Sequence, residues 1–356
     1  VRTAGGNVDN NVILRLPSAM AASLMVLSLF GFMRVLTNDR LLPLISAVIL
    51  ATSLLVIDMG RRNTWDIYCH SFMLMAMWAF SHGWKKTGTS FGTFTMGGCL
   101  LAASFMSKGP ISFYTLLLPC IIAYLWPSGF QSVWGKRKEL ALAILVFAII
   151  SSIWPFLIHI IHPKAAETVI NTELSSWATR HVRPFYFYAH FPLYTGVWAV
   201  IVIAGLLKPY AKIHINHFGS YYYILVWVAL SILLLSIIPE KKERYLLPAM
   251  IPMAVMAGYL FRSLFQSYKD GVSTIGDNRL VTAHMLVACT ASLCIPFLLY
   301  YFGVKKYLKT PAAVIGWSIV FFLMAGSIIY SGKAKKIGWL FIHTVMLICL
   351  VNISLL

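Results

Sequence analysis

The chain has 356 residues and a formal net charge of +18, is 59% apolar and only 11% charged, and has a mean hydropathy of +0.78. This excludes an ordinary soluble domain and any nucleic-acid-binding module built on a polar surface, and it indicates a polytopic membrane protein. The few charges collect between apolar runs, where water reaches them.

Apolar runs of roughly 17–25 residues, the length that crosses a bilayer, predict about twelve spans near 14–36, 42–58, 67–82, 91–106, 110–126, 139–158, 191–207, 220–238, 246–262, 281–303, 312–330 and 337–356. The ten-residue alternation of a membrane barrel is absent, so the fold class is all-α, a transmembrane helical bundle forming one domain over 1–356. Residues 159–190 form its largest connector. Odd–even alternation puts fifteen Lys and Arg on one side and fourteen on the other, a balance too even for the positive-inside rule. Their surroundings differ. The first set lies in short connectors such as Trp84-Lys85-Lys86 and Lys333-Ala334-Lys335-Lys336, which read as cytoplasmic stops. The second stands among Asp58, Asp66, Glu173, Glu240 and Glu243 with Tyr, His and Pro, and suits an anion docking in the outer leaflet, although any single cation there serves equally as a snorkelling anchor.

Residues 1–13 are polar and turn-like, so the chain is expected to start within an extracytoplasmic loop. Cys69, Cys99, Cys120, Cys289, Cys294 and Cys349 lie within spans without metal-like or disulfide-like spacing and are expected to pack. Gly88, Gly92, Gly97 and Gly98 predict a close helix-packing face.

Four junctions on the second side could carry chemistry. In 58–66, Asp66 opens a helix and either caps its free amides or acts in catalysis, with Arg61 and Arg62 beside it. In Ser107-Lys108-Gly109-Pro110, a lysine at a helix start is electrostatically unfavourable without an anion, and with the N–H groups of Ile111 and Ser112 it would seat a phosphate. In 159–190, residues 165–179 predict an amphipathic interfacial helix with Val169, Ile170, Leu174 and Trp177 on the membrane. The run 180–188 after it holds His181, Arg183 and Tyr188 among aromatics that otherwise form an interfacial belt. In 239–248, the five charges of Glu240-Lys241-Lys242-Glu243-Arg244 precede Tyr245 and Pro248.

Taken together, Asp66 at a helix start, Ser107-Lys108-Gly109, His181-x-x-Pro184-Phe185-x-x-Tyr188, Lys241…Tyr245-Leu246-Leu247-Pro248 and the opening Arg15-Leu16-Pro17-Ser18 resemble the polyprenyl-phosphate-sugar glycosyltransferases of the C-type superfamily. The likeness is to the bacterial group that includes the aminoarabinose transferases acting on lipid A, related to the protein O-mannosyltransferases. It reaches to Pro248; the last three spans carry no signature. The resemblance implies helices two to thirteen of a thirteen-helix protein, whose first helix and acidic first loop, holding the usual catalytic base, precede Val1; this stretch alone would then not catalyse. It implies a polyprenyl-phosphate-sugar donor, a lipid or other cell-envelope acceptor, surrounding membrane lipids as partners, and a bacterial inner-membrane location with the site facing the periplasm. It assigns Asp66 to catalysis, Lys108, Lys241, Arg61 and Arg62 to the donor phosphate, and His181, Tyr188 and Tyr245 to the donor pocket. A divalent cation at Glu173 or His181 stays open, although no ligand spacing supports one. The rival readings are a lipid-linked-sugar transporter, which would place polar residues near the bilayer midplane, an O-antigen ligase or polymerase, and a membrane scaffold.

Overall fold

The computed structural model describes residues 11–128, 135–164, 167–168, 171–172, 175, 179–303 and 311–354. Each predicted span falls on a helical segment: α1 (Asn11–Leu36), α2 (Leu41–Ala51) with α3 (Leu54–Arg61), α4 (Trp65–Lys85), α5 (Phe91–Lys108), a π-turn (Phe113–Leu117) running into α6 (Leu118–Ser128), α7 (Arg137–Ile161), a 3₁₀ segment (Phe191–Trp198) running into α8 (Ala199–Leu206), α10 (Tyr221–Ile237), α11 (Leu247–Lys269), α12 (Ile275–Leu298), α13 (Pro311–Lys333) and α14 (Ile337–Ser354), with the short α9 (Lys208–Ile215) between α8 and α10. Among the described residues seven helices are long and apolar enough to cross a membrane, eight if the bent pair α2–α3 counts as one. The remaining segments are shorter, as at Phe113–Tyr124 and Tyr221–Ile237, or more polar, as in α4 with Asp66, His70 and His82. The only β-bridge among the described residues is an isolated antiparallel one, Val182 to Glu240.

Helices prevail because a lipid-bordered backbone must satisfy its own hydrogen bonds. Hydroxyls within the spans are hidden the same way: Ser28, Ser107 and Thr115 each donate to the carbonyl four residues earlier at 2.6–2.8 Å. Where two such residues adjoin, the helix breaks. Thr52 and Ser53 bond back to Val48 and Ile49, and the predicted span 42–58 bends by 59° there. Trp198 Nε1 donates to Thr52 Oγ1 at 2.9 Å, which fixes the bend against the seventh span. That span is irregular too, because Gly196 takes φ +67° and its missing Cβ leaves room for Leu54.

α11 is the central post and almost wholly buried, packed by α2, α8, α9 and α10. At its crossing with α2, Gly258 has no room for a Cβ, which would run into Ser46 Oγ. α1, α4, α5 and α7 pack side by side on one flank, and α12, α13 and α14 on another. α7 and the outer faces of α12–α13 are left for lipid. The helix directions follow the predicted alternation. Ser71 bonds Ala21 while Gly31 abuts Trp78, so α1 and α4 run parallel. Cys69 meets Ser104 while Gly97 abuts Phe80, so α5 runs back. At the end holding Leu36 and Lys85, Asp39 bonds the first amides of α2 and pairs with Arg262 at 2.9 Å.

The expected glycine face is half there. Gly97 and Gly98 sit against Phe80 and the Ala143 backbone, but nothing lies within 4 Å of a Cβ on Gly88 or Gly92. The cysteines divide likewise: all six are free, Cys69, Cys120 and Cys289 are buried, and Cys99, Cys294 and Cys349 are exposed on the bundle surface rather than packed. The described residues between 163 and 179 are helical, as expected, while Val169, Ile170, Glu173, Leu174 and Trp177, like 1–10, lie outside the described residues. Gly98→Ala must push a Cβ into the Ala143 carbonyl 2.5 Å away and is expected to destabilise the protein by roughly 1–3 kcal/mol. Gly92→Ala should change stability by less than about 0.5 kcal/mol. Thermal unfolding of the two variants in detergent distinguishes them.

Candidate functional site

Lys108 ends α5, and Gly109 at φ +71° turns the chain back so that Pro110 can start the next segment. That places the Lys108 ammonium beside the first turn of the antiparallel α4, where Asp66 stands with no exposed surface. Lys108 Nζ donates to Asp66 Oδ1. The anion that the lysine's position called for is therefore, in the first place, a carboxylate of its own chain. Asp66 does not cap α4: Thr64 is the N-cap residue and no side chain caps that end.

The other carboxylate oxygen faces a third element. Past α10, the chain makes a tight polar turn and a 3₁₀ segment, Glu243–Leu246, before Pro248 starts α11. Arg244 Nε lies 3.5 Å from Asp66 Oδ2, close enough for attraction but not aligned as a hydrogen bond, so both buried atoms keep bonding capacity. The Tyr245 ring lies beneath three cations, with Lys108 Nζ at 4.1 Å, Lys242 Nζ at 5.5 Å and the Arg244 guanidinium at 5.8 Å from its centroid. Lys242 also pairs with Glu240 at 2.5 Å.

The large connector closes the group from the side. The Val182–Glu240 bridge is made by Arg183 N to Pro239 O and Lys241 N to His181 O, each 3.2 Å. Lys241 then donates to the carbonyls of Arg183 (3.1 Å) and Ile238 (2.6 Å), so its ammonium fastens the two loops together. Its burial lowers its pKa below the ordinary lysine value. Tyr188, almost completely buried, donates to Lys242 O at 3.1 Å. Its electrostatic neighbours are Tyr245, Tyr114 and Glu240.

Of the residues singled out by sequence, the structure brings Asp66, Lys108, Tyr188, Lys241 and Tyr245 into one cluster at one end of the bundle. It does not bring Arg61 or Arg62: Arg62 pairs with Asp58 at 2.7 Å, and Arg61 reaches Asn352 Oδ1 at 3.4 Å. His181 joins through its backbone alone; its residue is exposed and its φ of +49° is fixed where the bridge begins. Among the described residues no three His, Cys, Asp or Glu side chains gather as a ligand set, and Glu173 lies outside them. Sequence reasoning passed over Arg244, Lys242 and Tyr114. Arg244 adjoins Tyr245 in the dense turn, a usable signal, whereas Tyr114 depends on a π-turn that no residue pattern announces.

With this geometry in view, comparison with known proteins is informative. Residues 6–156 match the family model described as dolichyl-phosphate-mannose-protein mannosyltransferase. The undecaprenyl phosphate-alpha-4-amino-4-deoxy-L-arabinose arabinosyl transferase 1 of Pseudomonas fluorescens is 25% identical over 338 residues, covering 90% of this chain and 57% of that protein. The arabinosyl transferase of Edwardsiella ictaluri is 27% identical over 262 residues, 71% of this chain and 47% of that one. In fold, ArnT from Cupriavidus metallidurans bound to undecaprenyl phosphate matches with a TM-score of 0.68 at 15% identity, over 96% of this chain and 62% of that one. The chain is similar to the polyprenyl-phosphate-sugar glycosyltransferases. The resemblance read from its motifs is borne out, and so is the all-α membrane bundle. The chain spans about half the length of these curated relatives.

A buried ion pair broken on one side leaves an uncompensated charge, which costs roughly 3–5 kcal/mol. Lys108→Met is therefore expected to destabilise the bundle by about that much. Lys108→Met/Asp66→Asn should recover most of the loss, read as midpoints of thermal or denaturant unfolding across the double-mutant cycle.

Proposed function

We propose that this chain is the membrane part of a glycosyltransferase that moves a sugar from a polyprenyl-phosphate donor to a lipid or other cell-envelope acceptor. The observation that carries the reading is the half-made contact between Asp66 and Arg244 beneath the Lys108–Tyr245 stack. It leaves a guanidinium edge, part-exposed at 37%, beside a second cation in a partly dry setting. Counting Arg183, Lys108, Lys241, Lys242 and Arg244 against Asp66, Glu240 and Glu243, the cluster has more cations than carboxylates. Such a group attracts a phosphate, and Arg presents it with a fork of donors.

In glycosyl transfer of this class the acceptor oxygen forms a bond to the anomeric carbon, the bond from that carbon to the phosphate oxygen breaks, and the lipid phosphate leaves with the electron pair. Negative charge grows on the departing phosphate, and fixed cations at that place lower the barrier. Arg244 and Lys108 take this role, with Lys242 also near the Tyr245 ring. Asp66 holds both cations in position, and its free lone pairs orient a sugar or acceptor hydroxyl. Tyr188 and Tyr114 line the side of the pocket, and Lys241 keeps the loops closed over it. A base must also take the acceptor proton.

The relatives named for undecaprenyl phosphate-linked aminoarabinose favour an undecaprenyl-type donor, a lipid A-like acceptor, and a bacterial inner membrane with the cluster on the periplasmic side. In the full-length protein, Lys108→Ala or Arg244→Ala is expected to lower turnover of a polyprenyl-phosphate-sugar on the order of a hundredfold. Lys212→Ala, at the other end of the bundle, should leave it unchanged. Undiminished turnover in both site variants rules out the phosphate role.

A further inference from the structure

Away from the Asp66 cluster, in the other half of the bundle, a cavity of about 480 Å³ opens between α1, α4, α5, α6, α7 and α10. Its walls are apolar and largely aromatic, with Phe32, Phe80, Trp84, Tyr124 and Tyr223 among them, and Lys85 stands at its edge. The volume falls in the range of a small-molecule or single-chain ligand. Its α4 wall runs from Met77 to Lys85, about 12 Å, and Met77 is itself about 16 Å along that helix from Asp66. The α4 wall of the cavity thus lies toward the end of that helix away from Asp66.

Its construction is specific. Gly83 and Gly97 leave the space in which Phe94 and Phe80 sit; Phe80, Trp84 and Phe94 interlock with centroids 5.0–6.1 Å apart, and Phe80 and Trp84 line the cavity. Ile121 and Ile144 are exposed to the lipid side while also lining the cavity, so it is reached sideways from the bilayer. The rim is basic. Lys85 and Lys86 end α4, and Lys136, Arg137 and Lys138 begin α7; Lys136 donates to Gly88 O, which brings the two groups together. Among the described residues the nearby carboxylate Glu139 is engaged by Lys136 at 3.9 Å, while Lys85 has no ion pair or hydrogen-bond partner.

We propose that this cavity is a binding site for an anionic phospholipid of the leaflet away from the Asp66 cluster, with one acyl chain in the aromatic cleft and the headgroup phosphate on Lys85. Charge chooses the lipid: apolar walls accept any chain, but an unpaired ammonium at the junction where four more cations end α4 and begin α7 favours a negative headgroup. The site is separate from the donor cluster and stands whether or not the glycosyl-transfer reading holds.

Native mass spectrometry of the full-length protein, supplied with phosphatidylglycerol, phosphatidylcholine or undecaprenyl phosphate, tests this. Retained phosphatidylglycerol should exceed phosphatidylcholine. Lys85→Ala, an exposed change at a helix end, should cut that preference roughly fivefold, Lys85→Arg should keep it, and Ile144→Trp, which blocks the lateral mouth, should reduce retention of both lipids. Equal retention of the two lipids, or a preference untouched by Lys85→Ala, overturns the proposal. One-for-one displacement of phosphatidylglycerol by undecaprenyl phosphate also overturns it and gives the cavity to the donor's tail.

Discussion

A carboxylate with no exposed surface, in a bundle bordered by lipid, must be matched by charge, and the matching charges here come from other parts of the chain. Asp66 draws Lys108 from the next hairpin and Arg244 from almost 180 residues downstream. The constraint fixes the relative heights of α4, α5 and α11 at one end of the bundle. Because α11 is the central buried post, the rest of the helices inherit that registration. Asp66 thereby sets both the architecture and the place where chemistry is possible.

The clamp is incomplete in a telling way. Lys108 closes on one carboxylate oxygen, but Arg244 stops at 3.5 Å without a bond. Leaving such groups half-satisfied in a buried setting costs stability, and sites that await a ligand commonly carry costs of this kind. Around it, satisfied contacts are dense: the Val182–Glu240 bridge, the Lys241 clasp and the Tyr188 hydroxyl all keep the connector against the polar turn. Rigid loops around one loosely made ion pair are what a preorganised anion site requires.

The helical passes were legible in sequence because lipid imposes a length and an apolarity on each. The junctions that mattered were legible as well, since polar residues at span ends are few and their chain order is distinctive. Side-chain direction was not. Arg61 and Arg62 share a junction with Asp66, yet the short helix α3 turns them toward Asn352 and Asp58. The resemblance assigned Lys241 to the donor phosphate, but which acceptors its ammonium meets was not written in the sequence: it donates to the Arg183 and Ile238 carbonyls. The break at Thr52-Ser53, the Gly196 kink and the π-turn that aims Tyr114 depend on packing that hydropathy does not encode.

The most direct measurement is an experimental structure of the full-length protein with polyprenyl phosphate bound. The account predicts the phosphate oxygens within hydrogen-bonding distance of Arg244 and Lys108, beside the Tyr245 ring, with Arg244 drawn off Asp66. A phosphate seated instead on Arg61 and Arg62, with the Asp66 cluster unchanged and untouched, would contradict it.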